Sequence, residues 1–326
     1  MQNESLINPH EVRFFSGSSH PLLAENIAHY LGIPLDPTKI KRFSNDNLYI
    51  QLGASVRSRK VFIVQSLFAP VNDHLVELLI MLNAARMAAA TEVHAIIPYF
   101  SFARSDKKDA PRISITARLI ADLLQTAGAT HVMTMMLHSP QVHGFFGIPN
   151  DHLNSRKVFQ DYFTQDDLSD TIVVAPDLGQ AKHTTRFAKD LGLDVAAGIK
   201  ERKSDTEVQL TGFVGDLTGK RRAIIYDDEI ATGGSVVEIC KELTQHGIKE
   251  IRVVCTHGVF VRGGLERLTA IPEITEIVTT DTVYIPPEKR GPKLRVLSVA
   301  HVFGEAIRRN IAHNSLGDLF VFSETP

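Results

Sequence analysis

Residues 221–235 contain the feature that most constrains the fold of this chain: an apolar run followed by two acids, a glycine turn and a helical pattern. Ala223 to Tyr226 is apolar and rich in β-branched residues, which predicts a buried strand of a parallel sheet. Asp227 and Asp228 follow, and we expect both at the carboxyl end of that strand. Thr232–Ser235 then turns the chain, and Val236–Leu243 has the apolar spacing of a helix.

A sugar phosphate would suit this unit chemically. Glycines let the backbone approach an anion closely, the hydroxyls of Thr232 and Ser235 add donors, and a helix start supplies N–H groups at the positive end of its dipole. The acidic pair cannot bind phosphate, so it must face hydroxyl groups or a metal ion. The alternative is a βα turn whose acids cap the helix and whose glycines only turn the chain. The motifs G-x-x-x-x-G-K-[ST] and G-x-G-x-x-G are absent from the sequence, which leaves a P-loop or a dinucleotide site little support.

Composition excludes several other classes of protein. The chain has 326 residues, 44% of them apolar, which is enough for two domain cores. A net charge of −2 does not favour nucleic acid or an anionic membrane as partner. The sequence has no apolar run of membrane-spanning length, and its first residues do not resemble a signal peptide. Cys240 and Cys255 are its only cysteines, so we expect a protein of the reducing cytoplasm without disulfides.

Strands and helices are predicted to alternate along both halves of the chain. A helix is expected from Asn72 as N-cap, buried all round, and another from Thr116 as N-cap to Gly128. The second half repeats the βαβ order of the first, so we predict an α/β protein of two doubly wound parallel-sheet domains. The junction is placed near Asn154, with domains at 1–154 and 155–326. The predicted strands are Tyr49 to Leu52, Val61 to Gln65, Val93 to Ile97, Val132 to Leu137, Ile172 to Ala175, Ala223 to Tyr226, Ile251 to Cys255 and Ile274 to Val278.

Many ordered motifs together resemble one family, the ribose-phosphate diphosphokinases or phosphoribosyl pyrophosphate synthetases, over nearly the whole chain. The matching stretches are Arg42–Asn45, Gly53–Arg57, Asn72–Leu75, Tyr99–Arg104, Asp106–Lys108, Leu137–Gln141, Gly144–Phe146, Ala175–Asp177, Lys200–Lys203 and the stretch 221–235. The resemblance implies two domains of phosphoribosyltransferase type related by a pseudo-twofold repeat. It also implies Mg²⁺, and transfer of the β,γ-diphosphoryl group of ATP to the C1 hydroxyl of ribose 5-phosphate, with AMP leaving.

The same resemblance assigns roles to individual residues. It implies an ATP site in the first domain, made of Phe43, Asn45, Asn47, Arg104, Ser105, Lys107, Asp109 and His138. It implies a ribose 5-phosphate site in the second, made of Asp177, Asp227, Asp228, Thr232, Gly233, Gly234 and Ser235. His138 and Asp177 are implied as Mg²⁺ ligands. Lys200 and Arg202 are implied to stabilise the transition state as catalytic residues.

Single members of these sets allow simpler interpretations. The run Lys200–Lys203 alone is typical of a solvated charged segment. A histidine at a strand end, such as His138, is more often a satisfied polar residue than a ligand. Phe43 alone would be taken for a core residue. The family resemblance favours the functional interpretation in each case.

Some positions depart from the family pattern. Ala231 stands where many members have Asp, Asn47 replaces a usual Glu, and Ser105 replaces a usual Gln. These changes bear on base selectivity and sugar affinity more than on the transfer chemistry. Ser55 and Arg57 match a phosphate-effector site of the family, although His143 stands where Gln is common.

Three functions are compatible with the sequence. The first is an active diphosphokinase, and the second is a catalytically weak regulatory companion subunit of such an enzyme. The third is a phosphoribosyltransferase, which shares the glycine turn but does not need the ATP-site motifs. The family also suggests a homo-oligomer, built from dimers that assemble into a hexamer.

Overall fold

The computed structural model describes residues 7, 8, 10–202 and 208–320. In chain order the strands are β1 Val12–Ser16, β2 Thr38–Arg42, β3 Leu48–Leu52, β4 Lys60–Val64, β5 Glu92–Ile97, β6 His131–Met135, β7 Asn150–Leu153, β8 Thr171–Ala175, β9 Asp194–Arg202, β10 Val208–Val214, β11 Arg222–Ile230, β12 Glu250–Gly258, β13 Ile274–Thr280 and β14 Leu294–Leu297. The helices are α1 Pro21–Leu31, α2 Val71–Met87, α3 Thr116–Ala127, α4 Arg156–Phe163, α5 Ala181–Asp190, α6 Gly234–Gln245, α7 Gly264–Thr269 and α8 Ala300–Ile311. Strands and helices alternate, which confirms the predicted α/β class.

The chain forms two compact units, each with its own sheet. In the described part of the first unit, a five-stranded sheet has the order β1-β4-β5-β6-β7, and all of its strands are parallel. In the described part of the second, a seven-stranded sheet has the order β10-β9-β8-β11-β12-β13-β14, antiparallel only between β10 and β9. Every residue of β6 and β8 is buried, as expected for parallel strands covered on both faces.

The unit boundaries differ from the predicted domains at the C-terminal end. The first unit comprises Met1–Ser155, Thr282–Tyr284 and Ser298–Pro326, and the second comprises Arg156–Asp281 and Ile285–Leu297. The predicted second domain, 155–326, therefore has to be corrected, because α8 packs on α1 of the first unit. The contact is close at Gly304, where an added Cβ would lie 2.3 Å from the ring of Tyr30. The Tyr30 hydroxyl also donates to the Glu305 carboxylate at 3.1 Å.

Two helix starts differ from the prediction. Helix α2 begins at Val71 with Pro70, not Asn72, as its N-cap, because the Pro70 carbonyl accepts the first helical hydrogen bond from His74 N–H. Thr116 is the first residue of α3 and Ile115 is its N-cap. In the single chain α2 is also not buried all round, since the Val76 side chain is 46% exposed. The predicted end of α3 at Gly128 is confirmed.

A buried polar chain crosses the first sheet beside its core. His94 on β5 and His131 on β6 approach each other with their Nδ1 atoms 3.0 Å apart. His94 Nε2 lies 3.0 Å from the Glu92 carboxylate, and His131 Nε2 lies 2.9 Å from the Asp151 carboxylate. The His94 ring also stacks on Phe62. Each imidazole is therefore held between a carboxylate and the other imidazole.

This buried row of two carboxylates and two imidazoles predicts a loss of protein stability in mild acid. Burial, and secondarily the charge of His131, lower the pKa of His94 to about 4 from an ordinary value of 6.5. Below pH 6.5 the unfolded state therefore binds more protons than the folded state. The contribution of His94 to the free energy of unfolding is fully present above pH 6.5, and as the pH drops toward 4 it is lost, by on the order of 3 kcal/mol. In urea unfolding between pH 7 and pH 4, His94→Gln should show a shallower pH dependence than the wild type. His29→Gln, at an exposed helix position, should keep the wild-type slope, and an equal slope in all three proteins would contradict the assignment.

Candidate active site

The carboxyl ends of β8 and β11, neighbouring parallel strands of the second sheet, bring the predicted acids to one edge. Asp177 follows β8 by two residues, whereas Asp227 and Asp228 lie within β11. The prediction that this strand ends at Tyr226 is wrong, because β11 continues pairing with β12 as far as Ile230. The three carboxylates thus lie where ligands bind in open α/β sheets.

Gln180 connects these acids and was not identified from the sequence. Its side-chain Nε2 donates to Asp228 Oδ1 at 2.7 Å, and its backbone N–H donates to Asp177 Oδ1 at 3.2 Å. It is the N-cap of α5, directly after the turn that begins at Asp177. The only sequence signal was an acid three residues before a helix start, which indicates a turn but not the partner of the side chain.

Electrostatic repulsion is concentrated at Asp227. Burial, then the negative charge of Asp228, and further the charge of Asp177 raise the pKa of the Asp227 carboxyl well above its usual range. The Asp228 backbone N–H donates to Asp227 Oδ1 at 2.9 Å and offsets only part of this effect. Hydroxyl donors or a cation at this position would relieve the repulsion.

The predicted glycine turn is present between β11 and α6. Gly233 has a φ of +73°, a left-handed conformation that favours glycine, and it is the N-cap of α6. Gly234 and Ser235 are the first two residues of the helix, so their backbone N–H groups belong to its positive end. The turn rests against the start of α7, because an added Cβ at Gly264 would lie 2.6 Å from the Ala231 carbonyl oxygen. Arg267 also donates to the Thr232 carbonyl oxygen.

The predicted catalytic cations lie on a strand of the second sheet. Lys200 and Arg202 belong to β9, which runs parallel to β8 and extends beyond its carboxyl end. Their backbones pair with Leu210 and Val208 of β10. The side chains of Lys200 and Arg202, and the whole of Lys203, lie outside the described residues. The strand order nevertheless puts the backbone of both cations at the same sheet edge as Asp177.

The predicted ATP residues of the first unit begin in a hairpin. Phe43, Asn45 and Asn47 form the turn between β2 and β3, where the Phe43 N–H donates to the Asn47 carbonyl oxygen at 2.9 Å. Phe43 is 42% exposed, so the interpretation of this residue as core is wrong. Lys41 lies 5.3 Å from the centre of the Phe43 ring, and Tyr49 packs edge-on against it.

Three further segments reach the carboxyl edge of the first sheet. Arg42 at the hairpin pairs with Asp73 at 3.0 Å, in the first turn of the helix that follows β4. Arg104 ends a short 3-10 helix after β5, and His138 follows β6 at an exposed position. The remaining ATP-site candidates lie in the loop after Arg104, namely Ser105, Lys107 and Asp109. Because β4, β5 and β6 are parallel neighbours, these segments start from one edge of the sheet.

The predicted effector residues are only partly brought together. Ser55 and Arg57 line an open cavity of about 330 Å³ with Leu52, Ala54 and Ala88 among its other walls. His143 is placed elsewhere in the same unit, with its Nε2 3.2 Å from the Asn150 carbonyl oxygen. The structure therefore groups two of the three residues.

The donor set at the acidic edge fits a hard divalent cation. Carboxylate oxygens are suitable Mg²⁺ ligands, and the raised pKa of Asp227 is the effect that a nearby cation would reverse. Among the described residues, no three His, Cys, Asp or Glu side chains form a ready metal-binding group. Mg²⁺ keeps several water ligands and takes others from phosphates, so one or two protein carboxylates are sufficient. Across the described ranges, every helix is too short or too polar to cross a lipid bilayer.

Family models match both parts of the chain. The model of the N-terminal domain of ribose phosphate pyrophosphokinase matches residues 12–128. The model of the phosphoribosyl synthetase-associated domain matches residues 209–321. The second match contains the acidic pair and the glycine turn.

Full-length relatives agree with these matches. A ribose-phosphate pyrophosphokinase of Deinococcus radiodurans is 45% identical over 94% of this chain and 97% of its own length. Another, from Synechococcus elongatus, is 41% identical over 97% of this chain and 96% of its own. The crystal structure of phosphoribosylpyrophosphate synthetase from Mycobacterium smegmatis superimposes with a TM-score of 0.87 at 34% identity, covering 93% of this chain and all of that one. The chain therefore belongs to the family of ribose-phosphate pyrophosphokinases, which confirms both the predicted family and the predicted enzyme class.

Proposed function

We propose that this enzyme catalyses Mg²⁺-dependent transfer of the β,γ-diphosphoryl group of ATP to the C1 hydroxyl of ribose 5-phosphate, releasing AMP. The observation that carries the proposal is the acidic edge of the second unit, where Asp177 and Asp228 are bridged beside a glycine turn that starts a helix. Carboxylates suit sugar hydroxyls and a helix start suits a phosphate, and ribose 5-phosphate carries both groups.

The phosphate of the sugar would be bound by the turn. The N–H groups at the start of α6 and the hydroxyls of Thr232 and Ser235 are donors for its oxygens. Asp227 and Asp228 would accept from the vicinal hydroxyls, which would favour the charged form of Asp227. Ala231 contributes no carboxylate here, so the acidic pair would bear most of the sugar recognition.

ATP would be bound by the first unit. The exposed ring of Phe43 is available to stack on adenine, with Asn45 and Asn47 in the same hairpin turn. Arg104 would bind phosphate oxygens with its forked guanidinium. The other ATP-site residues in this proposal are Ser105, Lys107, Asp109 and His138.

Catalysis would consist of alignment and charge neutralisation, because transfer from ATP to the sugar hydroxyl requires no covalent intermediate. We assign Lys200 and Arg202 to the charge that develops on the transferring group. His138 and Asp177 would hold Mg²⁺, which when bound neutralises phosphate charge. The regulatory companion subunit remains the alternative, and it would keep the fold with little turnover.

The proposal is tested by measuring release of the nucleoside monophosphate with ribose 5-phosphate and Mg²⁺, which is AMP from ATP, GMP from GTP or CMP from CTP. We expect AMP that depends on both the sugar phosphate and the metal, with ATP preferred. No release from the pure protein, together with copurification of an active homologue, would favour the companion subunit. Release of a nucleotide from a nucleobase and phosphoribosyl diphosphate would instead indicate a phosphoribosyltransferase.

We further propose that phosphate or ADP regulates the enzyme at the cavity lined by Ser55 and Arg57. Activity is expected to change as inorganic phosphate is titrated, because Arg57 offers an anion a forked donor. Arg57→Ala should remove this response. Arg118→Ala, which alters an exposed ion pair of α3, should retain it. A titration that is flat in phosphate for the wild type would remove the hypothesis.

We also propose a cytoplasmic homo-oligomer built from dimers. Cys240 and Cys255 are both buried free thiols, as a reducing compartment would preserve them. Leu119 and Leu123 on α3, with Val76 on α2, expose apolar surface that a second copy could cover. Light scattering of the purified protein is expected to give a mass of at least two chains, and a monomer at micromolar concentration would contradict this.

A further inference from the structure

Gln180 lies at the centre of the acidic edge, although no motif pointed to it. Its carboxamide donates to Asp228, which lies within β11, and its backbone N–H donates to Asp177, which follows β8. The bond to Asp228 Oδ1 is 2.7 Å long, at the short end of the range for N–H···O hydrogen bonds. Gln180 is half-buried and Asp228 is 6% exposed, so water competes weakly for this bond.

The position of Gln180, beside three carboxylates, suits an uncharged side chain that donates a hydrogen bond. The raised pKa of Asp227 arises partly from the charges of Asp228 and Asp177, so the edge holds more negative charge than it can easily keep ionised. A glutamine amide satisfies one carboxylate oxygen and adds no charge of its own. It also restricts the rotation of the Asp228 carboxylate, because the Gln180 backbone is tied to the Asp177 turn.

We infer that Gln180 is a positioning residue that sets the specificity of the sugar site, by holding the Asp228 carboxylate oriented toward the vicinal hydroxyls of ribose 5-phosphate. This inference rests on the proposed function. A site whose buried groups are arranged to bind a hydroxyl discriminates strongly against an analogue that lacks it. Discrimination between ribose 5-phosphate and 2-deoxyribose 5-phosphate should therefore depend on the Gln180 amide.

The test compares Gln180→Glu and Gln180→Met with the wild type. Glutamate keeps the shape but replaces the donor with a charge, and methionine removes both hydrogen-bonding groups at similar length. For both variants we expect KM for ribose 5-phosphate to rise about tenfold or more, the usual cost of one charged hydrogen bond, with kcat and KM for ATP changed much less. The preference for ribose 5-phosphate over its 2-deoxy analogue, as a ratio of kcat/KM values, should shrink. Gln180→Asn, which keeps an amide, should recover part of it.

Gln160→Glu is the matched control, since Gln160 donates to the Asp190 carbonyl oxygen at 3.0 Å on the same unit, away from the acids. Thermal unfolding of each variant separates a local effect from loss of the fold. If KM for ribose 5-phosphate and the sugar preference stay at wild-type values in both Gln180 variants, the inference is wrong. Measuring ribose 5-phosphate binding by calorimetry distinguishes a failure of the Gln180 inference from a failure of the proposed function. Binding that weakens in the variants while the wild type does not turn over would overturn the proposed function only, and a wild type that binds no ribose 5-phosphate would overturn both.

Discussion

Replacing Lys200 or Arg202 with alanine is expected to lower kcat by about 10³- to 10⁵-fold, the range found when a cation that neutralises a transferring phosphoryl group is removed. The KM for ribose 5-phosphate should change little, because the sugar is assigned to Asp227, Asp228 and the glycine turn. The loss should therefore appear in kcat and in kcat/KM equally, as for an interaction made only in the transition state. Initial rates of AMP release, with both substrates varied, measure this division.

Lys241→Ala provides the control for this prediction. Lys241 is an exposed lysine of α6 in the same unit, so its removal changes the net charge equally without touching the proposed site. It should retain wild-type kinetics. Turnover that survives in both Lys200→Ala and Arg202→Ala would show that the assigned mechanism is incorrect.

Gly264→Ala is expected to lower kcat/KM for ribose 5-phosphate by on the order of 10²-fold, although Gly264 is not itself proposed to touch the substrate. The added Cβ would lie 2.6 Å from the Ala231 carbonyl oxygen, and real Cβ contacts are longer, so one backbone segment must move. We expect the segment that moves to be the turn that positions Thr232 and Gly233. Displacement of a binding group by about 1 Å costs this much in rate.

Gly291→Ala is its matched control in the same unit, because a Cβ there would meet nothing within 4 Å. The steady-state kinetics and the thermal unfolding of both variants should be measured together. A folded Gly264→Ala protein with wild-type kcat/KM would contradict the claim that contact with α7 positions the turn for binding ribose 5-phosphate.

The predicted strands were accurate because parallel strands are apolar along their whole length. The structure extends the predicted strand Ile172 to Ala175 by one residue and starts Ile274 to Val278 at the predicted residue. The same signal fails where a strand continues through charged residues. Strand β11 passes through Asp227 and Asp228 because its backbone stays paired with β12, and side-chain polarity does not report that pairing.

Long-range contacts explain the other differences. Helix α8 returns to the first unit through its contact with Tyr30, which is more than 270 residues away in sequence, and periodicity cannot identify such a partner. The role of Gln180 cannot be predicted from the sequence for the same reason, since its partner Asp228 lies 48 residues later. The exposure of Phe43 was equally hard to predict, because the local sequence of a hairpin turn does not show whether its aromatic side chain is exposed or buried.

The motif assignments depended on order along the chain, and the fold explains why they were informative. Asp177 follows β8 and Asp228 lies near the carboxyl end of its neighbour β11, and Lys200 lies on β9, the strand on the other side of β8. Parallel strands put their carboxyl ends together, so separate motifs that each follow a strand converge on one edge. Convergence could thus be predicted, whereas the hydrogen bonds that organise the edge could not.

A crystal structure of the protein with ribose 5-phosphate tests the central claim most directly. We predict the phosphate at the backbone N–H groups of Gly233, Gly234 and Ser235, with the sugar hydroxyls on Asp227 and Asp228. An ordered ribose 5-phosphate bound elsewhere on the chain, with this turn left unoccupied, would contradict the account.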